Sequence, residues 1–223
     1  MNTKTIAFVI MFVALTTVLN IYGPKIPFPF APFLYYSLWE IPIVAAFLVI
    51  GPKTGFFVAL LNALILLVVF PGNLPTGPLY NLIAELSMLL GVYGAYKLAT
   101  YRCPAENIGN FLKQHTLALS ISTTALGITT RVIVTTITNY FLIAQPSPIG
   151  FGSFFSFAGL GGQAGVLAFL PFSVLFNATI ALYTIPIALI VSIAIYRAIP
   201  NLVSTNSNAI ISYQKNPPPP SNQ

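Results

Sequence analysis

Residues 33–70 read FLYYSLWEIPIVAAFLVIGPKTGFFVALLNALILLVVF, two apolar runs divided by Gly51-Pro52-Lys53-Thr54. Neither run keeps the strict in-and-out alternation of a half-buried strand, and glycine and proline punctuate the turn between them. The stretch is therefore read as two short antiparallel helices. The rest of the chain has the same character: 57% of its 223 residues are hydrophobic, 5% are charged, and the mean hydropathy is +0.87. Soluble domains carry about 25% charged residues, so no water-exposed surface can be built here.

Working outward, apolar segments recur at residues 5–21, 33–50, 55–70, 78–101, 117–143 and 171–199. A helix needs roughly 20 apolar residues to cross about 30 Å of hydrocarbon, and lipid admits only helices or closed barrels. The alternation of a barrel strand is absent. The expected fold is thus an all-α integral membrane protein with six transmembrane helices over residues 1–200. Lys4 followed by an apolar stretch resembles a secretory leader, but no small-x-small cleavage site follows it, so it is taken as the first helix. The proline-rich residues 24–32 are expected as an ordered loop, and residues 145–165, rich in Gly, Pro, Ser and Phe, as a lid over the helices. Residues 201–223 turn to Asn, Ser and Pro and finish in four prolines, as in a disordered cytoplasmic tail.

Orientation follows from the basic residues, which collect on the cytoplasmic side. With the N-terminus inside, Lys4, Lys53, Lys97, Arg102, Lys113, Arg197 and Lys215 fall inside and Lys25 outside, while Arg131 lies within the fifth segment. Both termini are then cytoplasmic, in a multi-pass protein of the cell membrane.

Little enzyme chemistry is possible. His115 is the sole histidine, Asp does not occur, and Cys103 is the single cysteine, which leaves no His-Asp triad, no multi-cysteine metal site and no intramolecular disulfide. Gly51-Pro52-Lys53-Thr54-Gly55 lacks the upstream glycine of a phosphate-binding loop. Basic residues stand singly, which argues against nucleic acid. No enzymatic activity, cofactor or metal is expected; lipid is the surrounding partner.

Function is sought in the exceptions to the apolar background. Glu40, Glu85 and Arg131 are charges in or near the membrane, where they are costly and face a bundle interior or cavity. Counted from the outer helix ends, Glu85 lies about 10 Å deep and Arg131 about 20 Å. A Glu85–Arg131 pair is one reading, and a solvated or helix-end role for each is the other. Tyr35, Tyr36, Trp39, Asn73, Tyr80, Asn81, Asn139 and Tyr140 gather at the outer ends. An interfacial belt explains the rings; an outward-opening pocket for a flat, polar-edged molecule explains the amides as well.

The order of motifs resembles the substrate-binding subunits, or S components, of energy-coupling-factor (ECF) transporters, and among them the riboflavin type. The resemblance rests on Phe30-Ala31-Pro32-Phe33-Leu34-Tyr35-Tyr36, Trp39-Glu40-Ile41-Pro42, Gly51-Pro52-Lys53-Thr54-Gly55, the run from Arg131 to Asn139-Tyr140-Phe141, Leu170-Pro171-Phe172 and Phe176-Asn177. It implies an S-component-like six-helix bundle that captures a flat vitamin, riboflavin or a relative, from outside. Delivery then needs a separate transmembrane coupling subunit and two ATP-binding subunits. The implied substrate residues are Asn139, Tyr140, Asn177, Tyr35, Tyr36, Asn81 and Glu40. Ala7, Met11 and Ala14 keep part of the small-residue face that contacts the coupling subunit. Ile180 stands where the riboflavin type has a lysine, and Tyr80-Asn81 where it has Gly-Glu. From a different class, a self-sufficient secondary transporter or small channel would use Glu85 and Arg131 for ion coupling.

Overall fold

The computed structural model describes residues 3–69, 76–101, 116–146, 149–152 and 155–198. Asn73, Arg102, Cys103, Glu106, Lys113, His115 and the tail 201–223 lie outside them. Six helices and two small hairpins are found among the described residues: α1 (Thr3–Tyr22), β1 (Ile26–Phe28), β2 (Ala31–Tyr36), α2 (Glu40–Val49), α3 (Pro52–Val69), α4 (Gly77–Thr100), α5 (Thr116–Leu142), β3 (Ser156–Phe157), β4 (Leu160–Gly161) and α6 (Gly162–Ala198). Segments within α3, α4, α5 and α6 are each long and apolar enough to cross a membrane, namely Pro52–Val69, Gly77–Ala99, Leu117–Leu142 and Gly162–Ile195. The chain is a multi-pass membrane protein built mainly of helices.

The expected second span over residues 33–50 divides into two parts. Its first residues belong to β2, which pairs antiparallel with β1 in the register Ile26↔Tyr36 and Pro27↔Tyr35. Proline disfavours the helical region for the residue before it, and Pro27, Pro29 and Pro32 hold this stretch extended. What remains is α2, whose ten residues span about 15 Å, half of the hydrocarbon thickness. A helix that is apolar on every side is stable only when surrounded. Nine of its residues are buried, and α1, α3 and α6 pack around it. The main core, including Phe12, Ile43, Phe47, Val58, Met88 and Ile185, is centred on this short helix.

The Gly-Pro-x-x-Gly turn explains how α3 comes so near. Gly51 has φ of 133°, a conformation L side chains rarely adopt. One turn on, a Cβ at Gly55 would lie 2.7 Å from Phe47 Cα, so any side chain there forces α2 and α3 apart. Small residues likewise let α4 and α5 approach, with Gly91 against Gly127.

α6 starts at Gly162, nine residues before the expected start at Pro171, and carries Pro171 and Pro186 inside it. A proline removes one backbone donor but is tolerated inside membrane helices, so it did not mark a boundary. The expected lid is correspondingly shorter. Phe151 N–H donates to Ile143 O at 2.9 Å and Gly152 N–H to Gln145 O at 2.8 Å, which folds this segment back on the end of α5. The β3–β4 hairpin then packs on the first turns of α6, with Phe157 against Phe169 and Phe172. A second core forms at this end around Phe28, Ala31, Ile143, Val166, Phe169, Phe176 and Ile180.

Gly55→Ala should lower stability by about 1–3 kcal/mol, the usual cost of overpacking a core. A Cβ at Gly161 meets nothing within 4 Å, and Gly161→Ala should leave stability near that of the parent protein. Thermal unfolding of both variants in detergent tests this.

Candidate functional site

Where α2 begins, the bundle interior holds a buried ion pair. Glu40 is in the first turn of α2, where free backbone N–H groups and the positive end of the helix dipole favour a carboxylate. Arg131, midway along α5, reaches it with both terminal nitrogens, Nη1 to Oε2 at 2.5 Å and Nη2 to Oε1 at 2.9 Å. Both residues are 3% exposed. A fork-on-fork pairing of guanidinium and carboxylate is the geometry that best offsets the desolvation of both charges. Nη1 also lies 3.6 Å from Met88 Sδ.

This arrangement revises the expected pairing. Glu85 does approach Arg131, with Oε2 at 4.0 Å from Nη1, but the hydrogen-bonded partner is Glu40. A full second span starting at residue 33 would hold Glu40 about 10 Å from its outer end. The half-length α2 brings it into the middle of the bundle instead.

From the ion pair a chain of hydrogen bonds leads toward the hairpin end. Arg131 Nε donates to Asn177 Oδ1 at 3.0 Å, which fixes the orientation of that amide, and Asn177 Nδ2 then donates to Ser173 O at 2.9 Å. Ser173 Oγ in turn accepts from Asn139 Nδ2 at 2.6 Å. Asn177 is buried and its amide is occupied on both sides by protein. Asn139 is half-buried, and among the described residues its Oδ1 has no hydrogen bond. That oxygen is left as an acceptor.

The first hairpin and α6 also share a cluster of rings. Tyr36 lies tilted against Phe176 with centroids 5.3 Å apart, and its hydroxyl lies 2.8 Å from Thr179 Oγ1. Phe28 lies against Phe176 and Tyr36, while Tyr183 OH donates to Ser37 O at 2.7 Å. The first hairpin is thereby fastened to α6 through Tyr36 and Tyr183.

Of the expected substrate residues, the structure joins Glu40, Asn177 and Asn139 in one network and packs Tyr36 of β2 against α6, the helix that bears Asn177. Tyr35, Asn81 and Tyr140 are exposed and lie outside that network. Tyr140 rests edge-on against Phe141, and Tyr80, rather than Asn81, makes a bond across the bundle end, from its hydroxyl to Ile149 O at 3.1 Å. Trp39 is buried in the main core. Ser173, Thr179 and Tyr183 were not anticipated; Ser173 and Tyr183 each stand four residues from a polar neighbour, Asn177 and Thr179, on an otherwise apolar helix, which is the signal that could have found them. Ala7, Met11 and Ala14 are all exposed on α1, and Ala14 borders an apolar groove between α1 and α3 lined also by Val9, Ile10, Val13 and Leu61. No group of three or more His, Cys, Asp or Glu side chains is placed to hold a metal among the described residues.

No protein-family model and no curated protein matches the sequence. Among solved structures, the chain is similar to the S component of a bacterial ECF transporter, with a TM-score of 0.61 and 24% identity over 89% of this chain and 96% of that one. The two chains share a fold over nearly their whole length.

Glu40→Ala should destabilise the protein by about 3–5 kcal/mol, the cost of stranding a buried charge. Denaturation in detergent micelles checks the value; a loss below 1 kcal/mol would mean the pair is not holding α2 to α5.

Proposed function

We propose that this chain is the substrate-binding membrane subunit of an ECF-type vitamin uptake transporter. The observation that carries the reading is the fold shared with an S component over 89% of this chain. The motif order in the sequence supports it independently. In this reading the hairpin end faces outward and takes up a flat vitamin, riboflavin or a related ring system. The substrate stacks on the ring cluster around Tyr36 and donates a hydrogen bond to Asn139 Oδ1. Tyr35, Tyr140 and Asn81, exposed at their positions, contact the substrate only when it is bound. Asn177 and Glu40 hold the site from behind rather than touching the ligand. The exposed α1 face at Ala7, Met11 and Ala14 meets a transmembrane coupling subunit, which works with two ATP-binding subunits. All six helices lie in the cell membrane, with both termini cytoplasmic.

A self-sufficient secondary transporter is the second reading, favoured by the full burial of Glu85 beside Arg131. The two differ in energetics. Reconstituted alone, an S component binds substrate but does not accumulate it, whereas the rival accumulates substrate with a proton or ion gradient.

Two asparagines separate ligand contact from support. Asn139→Ala should weaken riboflavin binding tenfold or more, about 1–3 kcal/mol, with little change in melting temperature. Asn177→Ala leaves Arg131 Nε without its acceptor and should lower stability by about 1–3 kcal/mol. Titration calorimetry and thermal unfolding on the same preparations read both effects, and an unchanged dissociation constant in Asn139→Ala would remove that residue from the site.

Orientation is open to chemical labelling. A cysteine in place of Lys53 should react with an impermeant reagent only from the cytoplasmic side, and one in place of Lys25 only from outside. The reverse pattern would overturn the orientation.

A further inference from the structure

The buried cluster contains one guanidinium and two carboxyl groups, an imbalance the ion pair does not remove. Arg131 commits Nη1 and Nη2 to Glu40 and Nε to Asn177. The Glu85 side chain is 1% exposed, and neither of its oxygens has a hydrogen-bond partner among the described residues. The titratable groups that face it are Glu40 from α2 and Arg131 from α5; Tyr183 of α6, whose hydroxyl is bound to Ser37 O, faces Glu40 and Arg131. Only Arg131 is positive, and Glu40 already neutralises it. A second carboxylate here would be an uncompensated charge in the apolar interior, far costlier than a neutral polar group.

We propose that Glu85 is a proton-binding site in the middle of the bundle, holding one proton that brings the Glu40–Arg131–Glu85 cluster to zero net charge. Glu40 alone is then the counterion of Arg131. The proton also governs the ligand-side amides. Its loss creates a carboxylate 4.0 Å from the same Nη1 that donates to Glu40, which draws the guanidinium away and loosens its Nε bond to Asn177. Asn177, Ser173 and Asn139 follow in the same chain. The site holds on the geometry of the cluster and does not depend on which substrate the protein takes.

The composition makes a direct test possible, because the chain has three acidic side chains, Glu40, Glu85 and Glu106. Infrared spectra of the full chain at neutral pH, in a maltoside detergent that contributes no carbonyl band, should show the C=O stretch of a protonated carboxylic acid. The band should remain in Glu106→Gln and vanish in Glu85→Gln. Its absence from the parent protein, or its survival in Glu85→Gln, overturns the proposal. Glutamine is a neutral isostere of the protonated acid, so failure of Glu85→Gln to fold would equally contradict it. Trp39, the sole tryptophan, directly precedes Glu40 and reports on the linked rearrangement. On raising the pH its emission should shift in the parent protein and stay fixed in Glu85→Gln; identical profiles would overturn the coupling to Arg131.

Discussion

Burying a guanidinium in the apolar middle of a helical bundle costs several kcal/mol unless a carboxylate meets it in good geometry. The position of Arg131 on α5 therefore constrains its neighbours. Glu40 can reach it because α2 is only ten residues long and starts inside the bundle. That start is possible because the preceding residues leave the helical path for a proline-held hairpin. Phe47 and Gly55 then bring α3 close against the other end of the short helix. Replacing α2 by a full span would move the Glu40 carboxylate along the bundle and leave Glu85 as the carboxylate nearest Arg131.

The same pairing determines what is left for recognition. All three guanidinium nitrogens are engaged by Glu40, Asn177 and Met88, and Asn177 is used by Arg131 and Ser173. Within the network of described residues, the group that remains open is the neutral Oδ1 of Asn139. Groups of this kind suit a flat molecule with a hydrogen-bond donor on its edge better than an anionic one. The proposed role as a vitamin-binding subunit is consistent with this division of labour, in which the charges shape the bundle and neutral groups face the substrate.

Much of the fold was legible in the sequence, and the exceptions have physical causes. Composition and the length of the apolar blocks located the helices of the described residues, four of them long and apolar enough to cross a membrane. Residues 33–50 were misread because hydropathy cannot distinguish a lipid-facing span from a hairpin plus a buried half-helix; both are apolar throughout. Pro171 was taken as a helix start, although membrane helices tolerate an internal proline. In the site, Glu40, Asn139 and Tyr36 stand out because polar groups are rare in this chain, and Asn177 through the family resemblance alone. The Glu40–Arg131 pairing does not, because it depends on how far α2 penetrates, which is a tertiary property. Tyr35, Tyr140 and Asn81 share the residue types of the site without sharing its network, a distinction that residue type alone does not carry.

Native mass spectrometry tests the central claim most directly, that the hairpin end of this bundle captures a small flat molecule without any partner subunit. Protein purified alone in mild detergent and incubated with a mixture of vitamins should release one aromatic ligand, at one copy per chain, on collisional activation. Asn139→Ala prepared in parallel should retain much less of it. A folded parent protein that retains none of the mixture, riboflavin included, would contradict the account.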